Sequence, residues 1–174
     1  KLTDTNNLNF SRALSGLGVL YAKMGNYELA EKYLSETLKN RQTALGINHL
    51  DYANSLNNLA SLYFTINNYI QAEKYYLNAL EIRKSSLGIN HPDYAHSLND
   101  LGVYYFNLGD AALQQKDYQK AVEAFGESLI RRPEDLQAKE NFIYAKKMLQ
   151  NQQQNQQNQN NDQNQDNQDQ NQDQ

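Results

Sequence analysis

The chain repeats itself at a fixed interval, and few folds accommodate that. Displaced by 42 places, Leu14, Leu17, Leu20 and Tyr21 fall on Leu56, Leu59, Leu62 and Tyr63. Asn26-Tyr27 falls on Asn68-Tyr69, and Ala30-Glu31-Lys32-Tyr33 on Ala72-Glu73-Lys74-Tyr75. Leu38, Arg41 and Leu45-Gly46-Ile47-Asn48-His49 return as Leu80, Arg83 and Leu87-Gly88-Ile89-Asn90-His91. A third copy starts at His91 and keeps Asp93-Tyr94-Ala95, Ser97-Leu98-Asn99, Leu101 and Tyr105-Phe106, while residues 6–10 echo residues 48–52. Such a period belongs to stacked supersecondary units, each of which buries its apolar face only against a neighbour.

Each unit reads as two helices. Leu56, Leu59, Ala60 and Tyr63 keep the i, i+3, i+4, i+7 spacing of one apolar helical face. A break follows at Asn67-Asn68, matching Gly25-Asn26 in the first copy. Tyr69, Ala72, Tyr76, Ala79 and Leu80 then form the stripe of a second helix, which closes at Leu87-Gly88 with glycine expected in the left-handed conformation. Pro92 and Asp93 suit the start of the next helix, where proline loses no hydrogen bond and an acidic side chain meets the positive dipole end.

The order Leu56, Leu59-Ala60, Tyr63, Asn67-x-Tyr69, Ala72, Tyr76 and Ala79 resembles the tetratricopeptide repeat (TPR). The 42-residue period, with Ser-Leu-Asn-Asn-Leu-Ala at 55–60 and Ala-Leu-Glu-Ile-Arg-Lys at 79–84, is similar to the kinesin-light-chain type over residues 8–110. The resemblance implies an all-α fold, a right-handed superhelix (α-solenoid) of three helical hairpins. It places the array at 1–150, with repeats at about 8–49, 50–91 and 92–133 and a capping helix at 134–150. Leu136, Phe142, Ala145, Met148 and Leu149 are expected to pack that cap, with Lys146 and Lys147 near its negative end.

Past Asp110 the 42-residue match ends, and a 34-residue frame fits Tyr105, Leu108-Gly109, Ala112, Tyr118, Ala121, Phe125 and Pro133 better. Its Lys116-x-Tyr118 lies seven residues beyond Gly109-x-Ala111, and seven residues turn a helix face by only about 20° from register. One continuous helix over about 93–116 is therefore expected, with Gly109 costing roughly 1 kcal/mol relative to alanine. A break near Gly109-Asp110 is the competing reading. Residues 106–118 and 141–149, followed by the Gln/Asn/Asp run, resemble the TPR proteins of the bacterial aerotolerance (Bat) group. That resemblance implies work beside envelope partners with von Willebrand A-like domains.

Residues 151–174 are only Asn, Gln and Asp, cannot offset their ordering entropy by apolar burial, and read as a disordered tail. Asp162, Asp166, Asp169 and Asp173 account for the whole formal net charge of −4, so the remainder balances 16 basic side chains with as many acidic ones. A neutral surface lacks the basic face that nucleic acid or an anionic membrane requires. With no cysteine, thiolate metal sites, disulfides and Cys nucleophiles are excluded. No apolar run approaches the 18 residues that span a bilayer. The chain opens at Lys1 in mid-pattern and reads as a fragment with an earlier repeat upstream. Its expected place is the cytoplasm by default, or the bacterial periplasm or envelope if the second resemblance holds.

Function is expected on the free stripe of each first helix, which in TPR proteins lines a concave groove. By offset these residues are Arg12, Ser15, Val19 and Lys23, then Asn54, Asn57, Asn58, Ser61 and Thr65, then His96, Asn99, Asp100, Val103 and Asn107. Amides both donate and accept, so Asn57, Asn58 and Asn99 suit the backbone of an extended peptide, or else pack between repeats. The carboxylate clamp of chaperone-tail-binding TPRs would fall on Ser15, Val19, Asn58, His96 and Asp100, where the asparagine alone is kept. A free C-terminal carboxylate is thus a poor ligand.

His49 and His91 recur beside Asp51 and Asp93, which reads as a structural loop position rather than an acid–base or metal pair. No catalytic residues, metal ligands or cofactors are expected, and the tyrosines read as core. The reading is a protein-interaction scaffold for a peptide or partner segment, with weak self-association through the tail as a further expectation. The alternative is a structural spacer or assembly module of a bacterial envelope complex.

Overall fold

The computed structural model describes the backbone of residues 2–172 and the side chains of residues 8–158. It contains α1 (Leu2–Lys23), α2 (Tyr27–Leu45), α3 (Leu50–Thr65), α4 (Tyr69–Leu87), α5 (Pro92–Gln114), α6 (Tyr118–Arg131) and α7 (Leu136–Gln172), with no strand among the described residues. These fall into two compact units, Lys1–Tyr104 and Tyr105–Gln174, divided within α5.

In the first unit α1 pairs with α2 and α3 with α4, and α2 also packs on α3. Ala30 and Leu34 of α2 bury Leu59 and Leu62 of α3 in one cluster, and Ala53, Leu56 and Ala79 form a second between α3 and α4. The repeat is reproduced down to ring geometry. Tyr21 stacks on Tyr33 and Tyr63 on Tyr75, each at 5.6 Å between centroids and 17° between planes. Each such pair adds about 0.5–1.5 kcal/mol beyond its area.

The turn inside each hairpin is built the same way. The last residue before the cap has positive φ (Gly25 78°, Asn67 61°, Lys116 58°). The next side chain caps the second helix: Asn26 accepts from the Leu29 amide, Asn68 from Gln71 and Asp117 from Lys120. Each cap contributes about 1 kcal/mol by satisfying an amide that the helix leaves orphaned.

Between hairpins, Gly46 and Gly88 close α2 and α4 with φ/ψ of 83°/168° and 82°/166°. Gly88 therefore has the positive φ that the sequence predicts but not the left-handed helical ψ. This extended region is accessible essentially to glycine alone, which is a stronger reason for it to recur. The two repeated histidines have a structural role: His49 Nδ1 accepts from the Asp51 amide at 3.0 Å, and His91 Nδ1 from the Asp93 amide at 3.1 Å. They occupy the N-terminal cap positions of α3 and α5.

The long third-repeat helix is observed: α5 runs unbroken through Gly109 to Gln114. The structure adds why glycine stands there. A Cβ at Gly109 would lie 2.7 Å from Cε1 of the buried Phe125 ring. In the second unit that ring meets Phe106 edge-on at 5.7 Å, in a cluster with Ala112, Ala121 and Ala145.

Asp135 caps α7 by accepting from the Ala138 amide and is held at 3.0 Å by Arg132. The cap packs through Ala138, Phe142 and Ala145, whereas Leu136, expected in its core, is 71% exposed. The helix runs on past the packed cap to Gln172, so Lys146 and Lys147 do not sit at its end. Through residue 158 every tail side chain is exposed, as a tract without apolar residues must be. A helical course without apolar burial is a marginal arrangement for Asn- and Asp-rich sequence. The tail side chains beyond 158 and the echo at residues 6–7 lie outside the described residues.

Candidate functional site

The first helices α1, α3 and α5 carry the expected site residues on the stripe left free by hairpin packing. Ser15, Val19, Asn57, Asn58 and Asp100 are half-buried, and Arg12, Lys23, Asn54, Ser61, Thr65, His96, Asn99 and Val103 are exposed. Asn107, half-buried, belongs to the part of α5 in the second unit.

Two recesses open along this stripe in the first unit. One, of about 320 Å³, lies between α1 and α3. Val19, Ala22, Leu34 and Leu62 give it an apolar floor, and Lys23, Asn58, Ser61 and Thr65 give it a polar rim. The other, of about 400 Å³, is polar throughout and is lined by Asn54, Asn57, Asn58, Arg83, Asp93 and His96. Asn58 borders both. Arg12, Ser15, Asn99, Asp100 and Val103 line neither, although two of them reach the lining. Ser15 Oγ accepts from Asn58 Nδ2 at 3.1 Å, and Asp100 Oδ2 accepts from Asn57 Nδ2 at 2.7 Å while lying 3.6 Å from His96 Nε2.

The asparagines therefore do not form a free ladder. Asn57 ties α3 to α5 and Asn58 ties α3 to α1. Asn57 Oδ1 is buried without a hydrogen-bond partner, a local cost of about 1–3 kcal/mol.

Arg83 and Asp93 were not among the expected site residues. Arg83, only 6% exposed, donates to Ser97 Oγ and, at 2.7 Å, to Asn54 Oδ1. One repeat earlier Arg41 donates to the Asp51 carbonyl at 2.9 Å and to Ser55 Oγ at 2.8 Å. Burial pushes both guanidinium pKa values down, while Asp100 and Asp93 push back at Arg83 and Asp51 at Arg41. The signal was present in the sequence: Arg41 and Arg83 recur at one offset together with Ser55 and Ser97. A buried arginine held by neutral oxygens fixes the angle between hairpins, because its planar fork satisfies several acceptors at once.

No His, Cys, Asp or Glu group of three or more is placed to hold a metal ion among the described residues. Nor is any described helix long and apolar enough to cross a membrane.

Comparison with known proteins gives the family. No curated protein matches. A solved structure of BtubC (BKLC) from P. vanneervenii is 23% identical, with a TM-score of 0.56 over 80% of this chain and 56% of that one. A putative kinesin light chain with nearly identical TPR-like repeats from Podosopora anserina is 19% identical, with a TM-score of 0.52 over 79% of this chain and 65% of that one. A second structure of that protein, carrying a substitution, is 20% identical, with a TM-score of 0.51 over 77% of this chain and 64% of that one. The chain thus spans less than two thirds of each of these proteins, and the likeness establishes a shared kinesin-light-chain-like TPR fold. Models described as tetratricopeptide repeat match residues 9–85, 67–106 and 102–135. With most of the helical region covered by these matches, the chain belongs to the tetratricopeptide-repeat family.

Proposed function

We propose that this chain is a non-catalytic scaffold that holds an extended peptide along α1, α3 and α5. Tetratricopeptide repeats are generally protein–protein interaction modules, and the peptide reading rests on one observation. An apolar-floored recess and a polar recess share Asn58 on their common rim. An extended peptide places successive side chains on opposite faces and alternate ones on the same face. It can therefore set an apolar side chain over Val19, Ala22 and Leu62 and a polar one beside Asn54 and His96. Ser61, Thr65, Asn99 and Val103 remain exposed around this path.

A second reading, a structural spacer, draws support from Asn57 and Asn58, whose amides are engaged within the array. For that reason their replacement would mix stability with binding. Lys23→Glu with Thr65→Arg is the cleaner variant, because both side chains are exposed on the rim.

The experiment selects displayed random peptides on the full chain, then measures their affinity by fluorescence anisotropy for the parent and the double variant. Enriched peptides with one apolar position, bound at least about tenfold more weakly by the variant at unchanged helicity, are the expected result. If no peptide is enriched, or if the variant binds equally well, the spacer reading replaces this one.

A further inference from the structure

The polar recess between α3, α4 and α5 carries an excess of negative charge. Asp93 lines it with a side chain 59% exposed, and Asp100, 24% exposed, reaches the lining through Asn57 and lies 3.6 Å from His96. Against these two carboxylates stands the Arg83 guanidinium, which is buried and donates to Ser97 Oγ and Asn54 Oδ1. Burial lowers the Arg83 pKa, and Asp100 and then Asp93 oppose that, so both carboxylates act within reach of the recess.

One repeat earlier the balance is reversed. Arg12 holds the position of Asn54, and Asn58 that of Asp100, while Arg41 and Asp51 keep the places of Arg83 and Asp93. There the chain supplies a second cation itself. Its charge helps to depress the Arg41 pKa, after the larger effect of burial. In the polar recess that cation gives way to a neutral amide, and a carboxylate is added.

Hydrogen bonding points the same way. Asn57 and Asn58 give amide hydrogens to Asp100 and Ser15, which leaves their oxygens as acceptors, and Asn57 Oδ1 is buried without a partner. Such a recess suits a group that only donates. An ammonium brings three hydrogens and a guanidinium five, and neither accepts. A carboxylate in the same place would face Asp93 and leave Asn57 Oδ1 unsatisfied.

Building on the peptide reading of this groove, we propose that the polar recess receives a lysine or arginine side chain, two positions along the peptide from the apolar residue over Val19 and Leu62. Alternate residues of an extended peptide share a face, and the two recesses share Asn58. Asp93 offers the exposed charge and Asp100 a second one behind it. Asn57 Oδ1 becomes a further acceptor after a small turn of its amide. The partner class is a peptide with an apolar and a basic residue at alternate positions.

The test selects displayed nonapeptides on the full chain at pH 8, where a histidine adds no charge. Leucine is fixed at the fifth position and the rest are random. The most enriched sequence is then synthesised with lysine, glutamine or glutamate two positions from the leucine, on either side, and measured by fluorescence anisotropy. Lysine or arginine should be enriched there, and lysine should bind at least about fivefold more tightly than glutamine. That advantage should shrink as salt rises from about 0.05 to 0.5 M. At unchanged helicity it should vanish in the chain carrying Asp93→Asn with Asp100→Asn, and Asp93→Lys should turn the preference to glutamate. Glu28→Gln, which removes an exposed charge on α2, should leave it intact. The peptide series leaves the chain untouched, so a folding defect cannot mimic its outcome.

Enriched peptides without a basic residue at either alternate position would overturn the cation while leaving the peptide groove in place. A lysine advantage that survives both sets of aspartate variants would do so too. Preference for glutamate in the parent chain would have the same effect and assign the recess to Arg83. Enrichment of no peptide at all would remove both readings.

Discussion

The long hairpins of the first unit and the last hairpin make the same inner turn from different residues. Gly25-Asn26, Asn67-Asn68 and Lys116-Asp117 share a positive φ followed by a side-chain cap. Beyond the turn the hairpins differ. The helices α2 and α4 run 19 residues each, close on glycines near φ 83° and hand over to histidine caps. The helix α6 runs 14 residues and ends at Arg132, before Pro133 and the Asp135 cap. The inner turn is thus held constant while the helices on both sides of it change length, α5 running 23 residues against 16 for α3 and α6 running 14 against 19 for α4. Asparagine and even lysine are accepted at the left-handed position because helix pairing and the adjoining cap over-determine it, at about 1–2 kcal/mol for the lysine.

The sharpest way to break the comparison is at the core of the last hairpin. Phe125→Ala should cost about 3–5 kcal/mol, because a fully buried ring leaves a cavity among Phe106, Ala112 and Ala121. Calorimetry should show a lowered transition with the loss of α6 and α7 protection in hydrogen exchange. A change below about 1 kcal/mol would contradict the packing described.

Glycine substitution gives the next effect, with opposite signs in the two units. Gly109→Ala should destabilise by about 1–3 kcal/mol, since its methyl meets the Phe125 ring. Gly16→Ala, with nothing within 4 Å of the added methyl, should stabilise by up to about 1 kcal/mol. Urea midpoints that move the same way for both would refute this account. The smallest effects belong to the turns. Lys116→Gly should stabilise by about 1 kcal/mol, and Asn67→Gly by a few tenths, as asparagine tolerates left-handed backbone better. Equal effects at the two positions would mean that the turn is not under the strain inferred.

The site was legible in part for a reason visible in its residues. Val19 and Lys23 on α1, and Asn58, Ser61 and Thr65 on α3, follow helical spacing along the free stripe of their own helix, and one recess joins the two stripes. Arg83 was hidden because it stands on a second helix, off the stripe that spacing can follow, and enters the recess only through hairpin stacking. Asn57 and Asn58 show the same limit. An offset places them on the free face, but the Asp100 and Ser15 oxygens that engage their amides lie 43 residues away.

By itself the sequence determined the repeat, the helical stripes and the order of the hairpins, and it favoured an unbroken α5 over a break at Gly109. Those features depend on local backbone preference and on a side-chain period that repetition makes unmistakable. Only the tertiary structure decided why Gly109 is glycine and which polar groups are consumed within the array. Each of these is a contact between residues distant in the chain, and a one-dimensional pattern does not encode which faces meet.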